Sequence, residues 1–143
     1  MNDTGTNPPT TITDEHYRQI LKFRTQLRYF LHWSEQEVRS VGLTPNQYQL
    51  LLAIRGHPDK NHPTVSDIAN YLFLKHHSAV GLIDRAEKAG LVKRIKDPDD
   101  HRITRLSLST QGENCLVQLA STHIQELREL AKAFPQFNNS HTE

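Results

Sequence analysis

Hydrophobic spacing along this chain changes period twice, and that change constrains the fold more than any other feature. Up to Ala89, apolar residues recur at three and four positions, as the buried stripes of α-helices do. Leu91-Val92-Lys93-Arg94-Ile95 and Ile103-Thr104-Arg105-Leu106-Ser107-Leu108 then alternate apolar with polar, as strands do. Between them, Lys96-Asp97-Pro98-Asp99-Asp100-His101-Arg102 has the composition of a hairpin tip. Helical spacing returns after Ser109 or Thr110 and persists to about Phe134, where Pro135 and an Asn/Ser tail end it. The expected order is helix, helix, helix, helix, hairpin, helix, without internal repeats.

Helix boundaries are signalled locally. Thr13 can cap the first helix, Asp14 and Glu15 suit its positive end, and Tyr17, Ile20, Leu21, Leu27, Phe30, Leu31 and Val38 form its stripe until Gly42. Thr44-Pro45-Asn46-Gln47 starts a second helix with a threonine cap, proline at the first position and glutamine at the capping-box position. Gly56 and Pro58 close it. Thr64-Val65-Ser66-Asp67 opens a short third helix, and Phe73-Leu74 make a turn. A fourth helix runs from about Lys75 to Ala89 with Ala79, Leu82, Ile83 and Ala86 as its buried stripe and Gly90 as its stop. The stripes of the first, second and last helices are expected to be core first, with a surplus on the first and last helices left for a partner subunit.

Two short helices joined by a tight turn form a helix-turn-helix, in which the first braces the second against the major groove. The hairpin that follows forms a wing, whose terminal arginine can enter the minor groove. The fold class expected is therefore mainly α with a small β-hairpin wing, a winged helix-turn-helix.

Asp-Pro-Asp-Asp-His-Arg (97–102), followed by the stretch 105–112, resembles the wing of the multiple-antibiotic-resistance regulator (MarR) family. The stretch from Lys75 to Val92 resembles that family's recognition helix running into its wing. The similarity spans about residues 14–130, with most of its specificity in 64–112. It implies one domain over 13–134, with N- and C-terminal dimerisation helices at about 13–41 and 110–134 and a DNA-binding lobe at about 44–109. Residues 1–12 and 135–143 are expected to be disordered. The resemblance implies a sequence-specific transcriptional regulator, a repressor or an activator, that binds a pseudo-palindromic operator as a homodimer. Its implied DNA-binding residues are Lys75, His76, His77, Ser78, Val80, Gly81, Arg94, Lys96, Asp100, Arg102 and Arg105. In this reading Asp100 braces arginines at the wing base while Arg102 reaches the minor groove. Val80 suits a thymine methyl, and Gly81 allows close approach. Small-molecule control is also implied, with His32, Trp33 and Tyr48 as lining candidates, although packing is their simpler role. Many relatives carry a further helix after the long one, whereas this chain stops soon after Pro135, which bears on the dimer interface.

Bulk composition bounds the alternatives. The 143 residues carry 17 Lys+Arg against 16 Asp+Glu, a net charge of +1, which does not by itself advertise a nucleic-acid binder. Distribution matters more: Lys75, Arg85, Lys88, Lys93, Arg94, Lys96, Arg102 and Arg105 fall within one stretch. Acids there cluster at Asp84 and Glu87 and at Asp97, Asp99 and Asp100. Mean hydropathy is −0.65, with no apolar run of membrane-spanning length and no basic-then-apolar leader, so a cytoplasmic protein without membrane contact is expected. The one cysteine, Cys115, permits no intrachain disulfide and reads as a packed residue.

No phosphate-cradling glycine loop, nucleophile elbow or His-Glu-x-x-His pair is present, so an enzyme is not expected, and neither is a cofactor. His57, Asp59 and His62 lack a well-placed further ligand, and solvation is their simpler reading. Asp84 and Arg85 could pair within the domain. The alternative from another class is a winged-helix module that binds protein without specific DNA binding. Near-neutral charge favours it, and the Arg102 wing with a basic helix start counts against it.

Overall fold

The computed structural model describes residues 7–135. The expected disordered flanks lie outside this range except for residues 7–12, which are exposed and in neither helix nor strand, and Pro135. Seven elements follow in order: α1 (Asp14–Ser40), α2 (Pro45–Gly56), α3 (Val65–Leu72), α4 (His76–Lys88), β1 (Val92–Lys96), β2 (Thr104–Leu108) and α5 (Thr110–Lys132). None of these helices is long and apolar enough to cross a membrane.

Helix starts coincide with hydroxyl residues. Thr13, Thr44, Thr64 and Ser109 each accept a backbone N–H from three residues on, satisfying a donor that the first helical turn leaves open. At Thr44 the Gln47 side chain returns the bond to the cap N–H at 3.0 Å. Gly42 and Gly90 follow α1 and α4 in the left-handed conformation, at φ 83° and 75°.

The core gathers where α2, α3, α4 and the hairpin meet. Leu50, Leu51, Ile68, Ile83 and Leu106 are fully buried there, and Val38, Leu43, Leu82, Ala86, Leu91 and Val92 close around them. The four residues of the expected α4 stripe, Ala79, Leu82, Ile83 and Ala86, are its buried ones. Strand β1 pairs antiparallel with β2, Val92 opposite Leu108 and Lys96 opposite Thr104. The strands begin one residue later than the alternation suggests.

The hairpin is tied to the helix-turn-helix from outside its own ladder. The Leu106 N–H donates to the Pro63 carbonyl at 2.9 Å, and Thr64 forms a bridge with Arg105. The residue before α3 thus acts as a one-residue third strand. Gly112, in the first turn of α5, touches the Leu91 carbonyl so closely that a Cβ there would collide with it. Helix α5, the wing and the α4 stop are locked at that point.

One expectation fails at α1. Of its apolar stripe only Val38 is buried, joined by Ser34, while Tyr17, Ile20, Leu21, Leu27 and Leu31 stay exposed. A 27-residue helix is about 40 Å long, and its buried residues, Ser34 and Val38, lie toward its C-terminal end. The surplus expected for a partner is therefore most of the stripe. Helix α5 leaves Val117, Ile124 and Leu127 exposed as well.

Candidate nucleic-acid interface

Helix α4 is the one helix whose N-terminus has no side-chain cap among those described: Lys75 occupies the cap position and makes no such bond. The backbone donors of its first turn therefore remain open, and the helix dipole places positive potential there. Lys75, His76 and His77 are exposed at this end, and Ser78, Val80 and Gly81 are half-buried beyond it. A Cβ on Gly81 would lie 3.3 Å from the Arg85 guanidinium, so Arg85 lies over Gly81 on the outer face of α4.

A groove of about 420 Å³ runs beside this end, lined by Thr64, Val65 and Ser66 of the α3 start, His76 of α4, and Arg102, Ile103 and Thr104 of the wing. It brings together two helix N-termini and the wing arginine. The open start of α4 and one cation, Arg102, thus line a single concave surface with the α3 start, which Thr64 and Asp67 cap.

The wing tip is organised by its aspartates. Asp97 is buried, and its carboxylate accepts the N–H groups of Asp99 and Asp100 at 2.8 and 2.9 Å. Its other oxygen accepts from Arg105 Nε, whose guanidinium also donates to the His62 carbonyl at 2.7 Å. The Arg105 bond, with those two N–H bonds, holds the Asp97 carboxyl below its ordinary value. Asp100 forms a bidentate pair with Arg102, at 3.0 and 2.9 Å, and this pair lowers the Asp100 value and raises that of Arg102. The Arg102 side chain is 90% exposed.

The brace at the wing base is consequently Asp97 with Arg105, and Asp100 orients Arg102 instead. A guanidinium has five N–H donors, and Asp100 uses two, so three remain for another acceptor. Arg105 is turned inward, between Asp97 and the Pro63 loop. Arg94 is inward too. It lies opposite Leu106 and donates to Asp84 and to Glu87, the latter at 2.9 Å. Asp84 therefore pairs with Arg94 across elements and not with its neighbour Arg85. Lys96 is exposed at the end of β1. Asp84, Glu87 and Asp97 thus anchor inward-facing arginines, whereas Asp100 holds the exposed Arg102.

The three residues expected around an effector do not share one cavity. His32 and Trp33 line a groove of about 370 Å³ between α1 and α5, with Tyr29, Phe30 and Glu126 among its other walls. Tyr48 is absent from that lining and packs instead on His123, with ring centroids 5.2 Å apart. His123 was not singled out in the sequence, yet it joins three helices. It is buried on α5, its Nδ1 donates to the Leu119 carbonyl at 2.9 Å, and its Nε2 lies 2.7 Å from Ser34 Oγ of α1. The Trp33 ring packs against it at a tilt of 46°, with centroids 5.0 Å apart. Its signal was present: Leu116, Leu119 and His123 continue one helical stripe. Burial raises the Tyr48 phenol above its ordinary value.

His57 and Tyr71 bond at 2.6 Å and join α2 to α3. Among the described residues no three His, Cys, Asp or Glu side chains converge as a metal site would require.

Comparison with known proteins agrees with this architecture. The sequence model of the MarR family matches residues 41–103. The HTH-type transcriptional regulator YsmB of Bacillus subtilis is 24% identical over 127 residues, covering 86% of this chain and 85% of that one. AbsC, a MarR family transcriptional regulator from Streptomyces coelicolor, superposes with a TM-score of 0.66 at 23% identity, over 88% of this chain and 93% of AbsC. MepR of S. aureus, solved as a complex with DNA, gives 0.63 at 19% identity over 86% and 85%. The matched segment contains the helix-turn-helix and most of the wing, and the superposition extends the likeness to both long helices. Over residues 41–103 the chain is similar to the MarR family of transcription regulators.

Proposed function

We propose that the protein is a homodimeric, sequence-specific DNA-binding regulator that reads a pseudo-palindromic operator. The observation that carries this reading is the groove shared by the uncapped start of α4, the start of α3 and Arg102. Helix N-termini attract phosphate, so this surface suits a DNA backbone passing between the recognition helix and the wing. Lys75, His76, His77 and Ser78 contact phosphates and base edges there, with Val80 and Gly81 admitting close approach and Lys96 flanking the wing. Arg102, steered by Asp100, enters the minor groove. Arg94 and Arg105 support this surface from behind. MepR, which shares this fold, was solved as a complex with DNA, and that favours DNA as the partner.

The dimer reading rests on the exposed apolar face of α1 and α5. Recognition helices of two subunits would then meet successive major grooves about one helical turn apart. Effector control is assigned to the groove at His32 and Trp33, whose walls belong to both long helices, while Tyr48 contributes only through His123.

Arg102→Ala tests the DNA reading. Its affinity for a duplex enriched by the wild-type protein from a random-sequence pool is expected to fall at least about tenfold, as loss of a specific Arg contact does. Unchanged affinity would remove Arg102 from the interface, and a wild-type protein that enriches no duplex would point to a protein-binding module.

A further inference from the structure

Phe73 is 96% exposed, more than any other large apolar side chain described. It ends α3 at φ 53° and ψ 41°, in the left-handed region, and is the one non-glycine residue described with positive φ. The other two left-handed stops, Gly42 and Gly90, use glycine, which adopts this conformation without a Cβ penalty. At Phe73 the fold accepts both a strained backbone and a ring in water, with almost no contact inside the protein in return.

Its position says what can cover the ring. Phe73 lies two residues before Lys75, so their Cα atoms are at most about 7 Å apart. A phenylalanine ring reaches most of that distance. The surface beside it is the open N-terminus of α4, with Lys75, His76 and His77, which on the reading above faces DNA. Duplex DNA offers apolar partners there: thymine methyls in the major groove and the C–H faces of the sugars along its wall.

We propose that Phe73 is a DNA-contacting residue whose ring rests on the apolar surface of the duplex beside the start of the recognition helix. This rests on the DNA reading of α4. The ring removes apolar area from water on binding and neutralises no phosphate. Its contribution is therefore independent of salt, unlike that of Lys75.

The test compares full-length Phe73→Gly, Phe73→Leu, Lys75→Ala and Arg102→Ala with wild type on the duplex enriched by the wild-type protein, over a salt series. Phe73→Gly is expected to melt at the same or a higher temperature, because glycine relieves the strained φ. Its affinity is expected to fall about tenfold with an unchanged log–log salt slope. Phe73→Leu is expected to recover part of the loss. Lys75→Ala is expected to reduce the slope by about 0.9, the signature of one lost phosphate contact. Wild-type affinity in Phe73→Gly, beside a loss in Arg102→Ala, would overturn the role of Phe73 and leave the DNA reading standing. A loss of affinity that tracks a lower melting temperature would make Phe73 a structural residue and overturn the proposal. A wild-type protein that enriches no duplex would overturn both.

Discussion

At the scale of single residues, the aspartates of the wing divide two tasks between them. Asp97 closes the turn on two backbone N–H groups and holds Arg105, whereas Asp100 aims Arg102. Asp97→Asn keeps the shape but loses the charge that Arg105 needs. It is expected to lower DNA affinity and to speed hydrogen exchange at the Leu106 amide, which binds Pro63 beside this brace. The pH dependence follows from the same bond. A carboxyl whose folded value lies below its unfolded one contributes stability above the unfolded value, near 3.8, and loses it only as pH falls through the lower folded value. Slow exchange at Leu106 is therefore expected to persist at pH 3.8 in the wild type and to be absent from Asp97→Asn. Ser34→Ala removes the partner of a buried imidazole nitrogen at 2.7 Å and is expected to cost about 1–3 kcal/mol in urea denaturation.

Elements were legible in the sequence where their cause is local. The caps at Thr13, Thr44, Thr64 and Ser109 and the α4 stripe need only neighbouring residues, and each falls where the spacing puts it. What joins the elements was not legible. The Arg94 bridge to Asp84 and Glu87 spans a helix and a strand, and its partners follow from how the hairpin packs on α4, which alternation along one strand does not encode. The resemblance gives the wing brace to Asp100, and which of the wing carboxylates turns inward depends on the fold of the turn rather than on residue type. Arg94→Gln is expected to lower thermal stability while leaving the salt slope of DNA binding unchanged, because this guanidinium is already paired within the protein. Gly112→Ala forces a methyl group onto the Leu91 carbonyl. It is expected to cost about 1–3 kcal/mol in chemical denaturation, in line with overpacking of a tight contact.

At the scale of the whole molecule, charge and apolar surface are both distributed unevenly. Net charge is only +1, and two arginines of the winged-helix lobe, Arg94 and Arg105, are paired inward, whereas Lys75, Arg85, Lys88, Lys93, Lys96 and Arg102 are exposed. The apolar excess lies instead on α1 and α5, where Ile20, Leu21, Leu27 and Leu127 are exposed. On the dimer reading this patch is where the two subunits meet. Leu27→Glu combined with Leu127→Glu is expected to yield a folded monomer by sedimentation, with operator affinity lost because only one half-site can be held. The central claim, that this surface reads DNA sequence, is tested most directly by titrating the wild-type protein against its enriched duplex and a scrambled one over a salt series. A steep slope, near 0.9 per neutralised phosphate, with at least about a thousand-fold preference for the enriched duplex is predicted. A shallow slope without preference would contradict it.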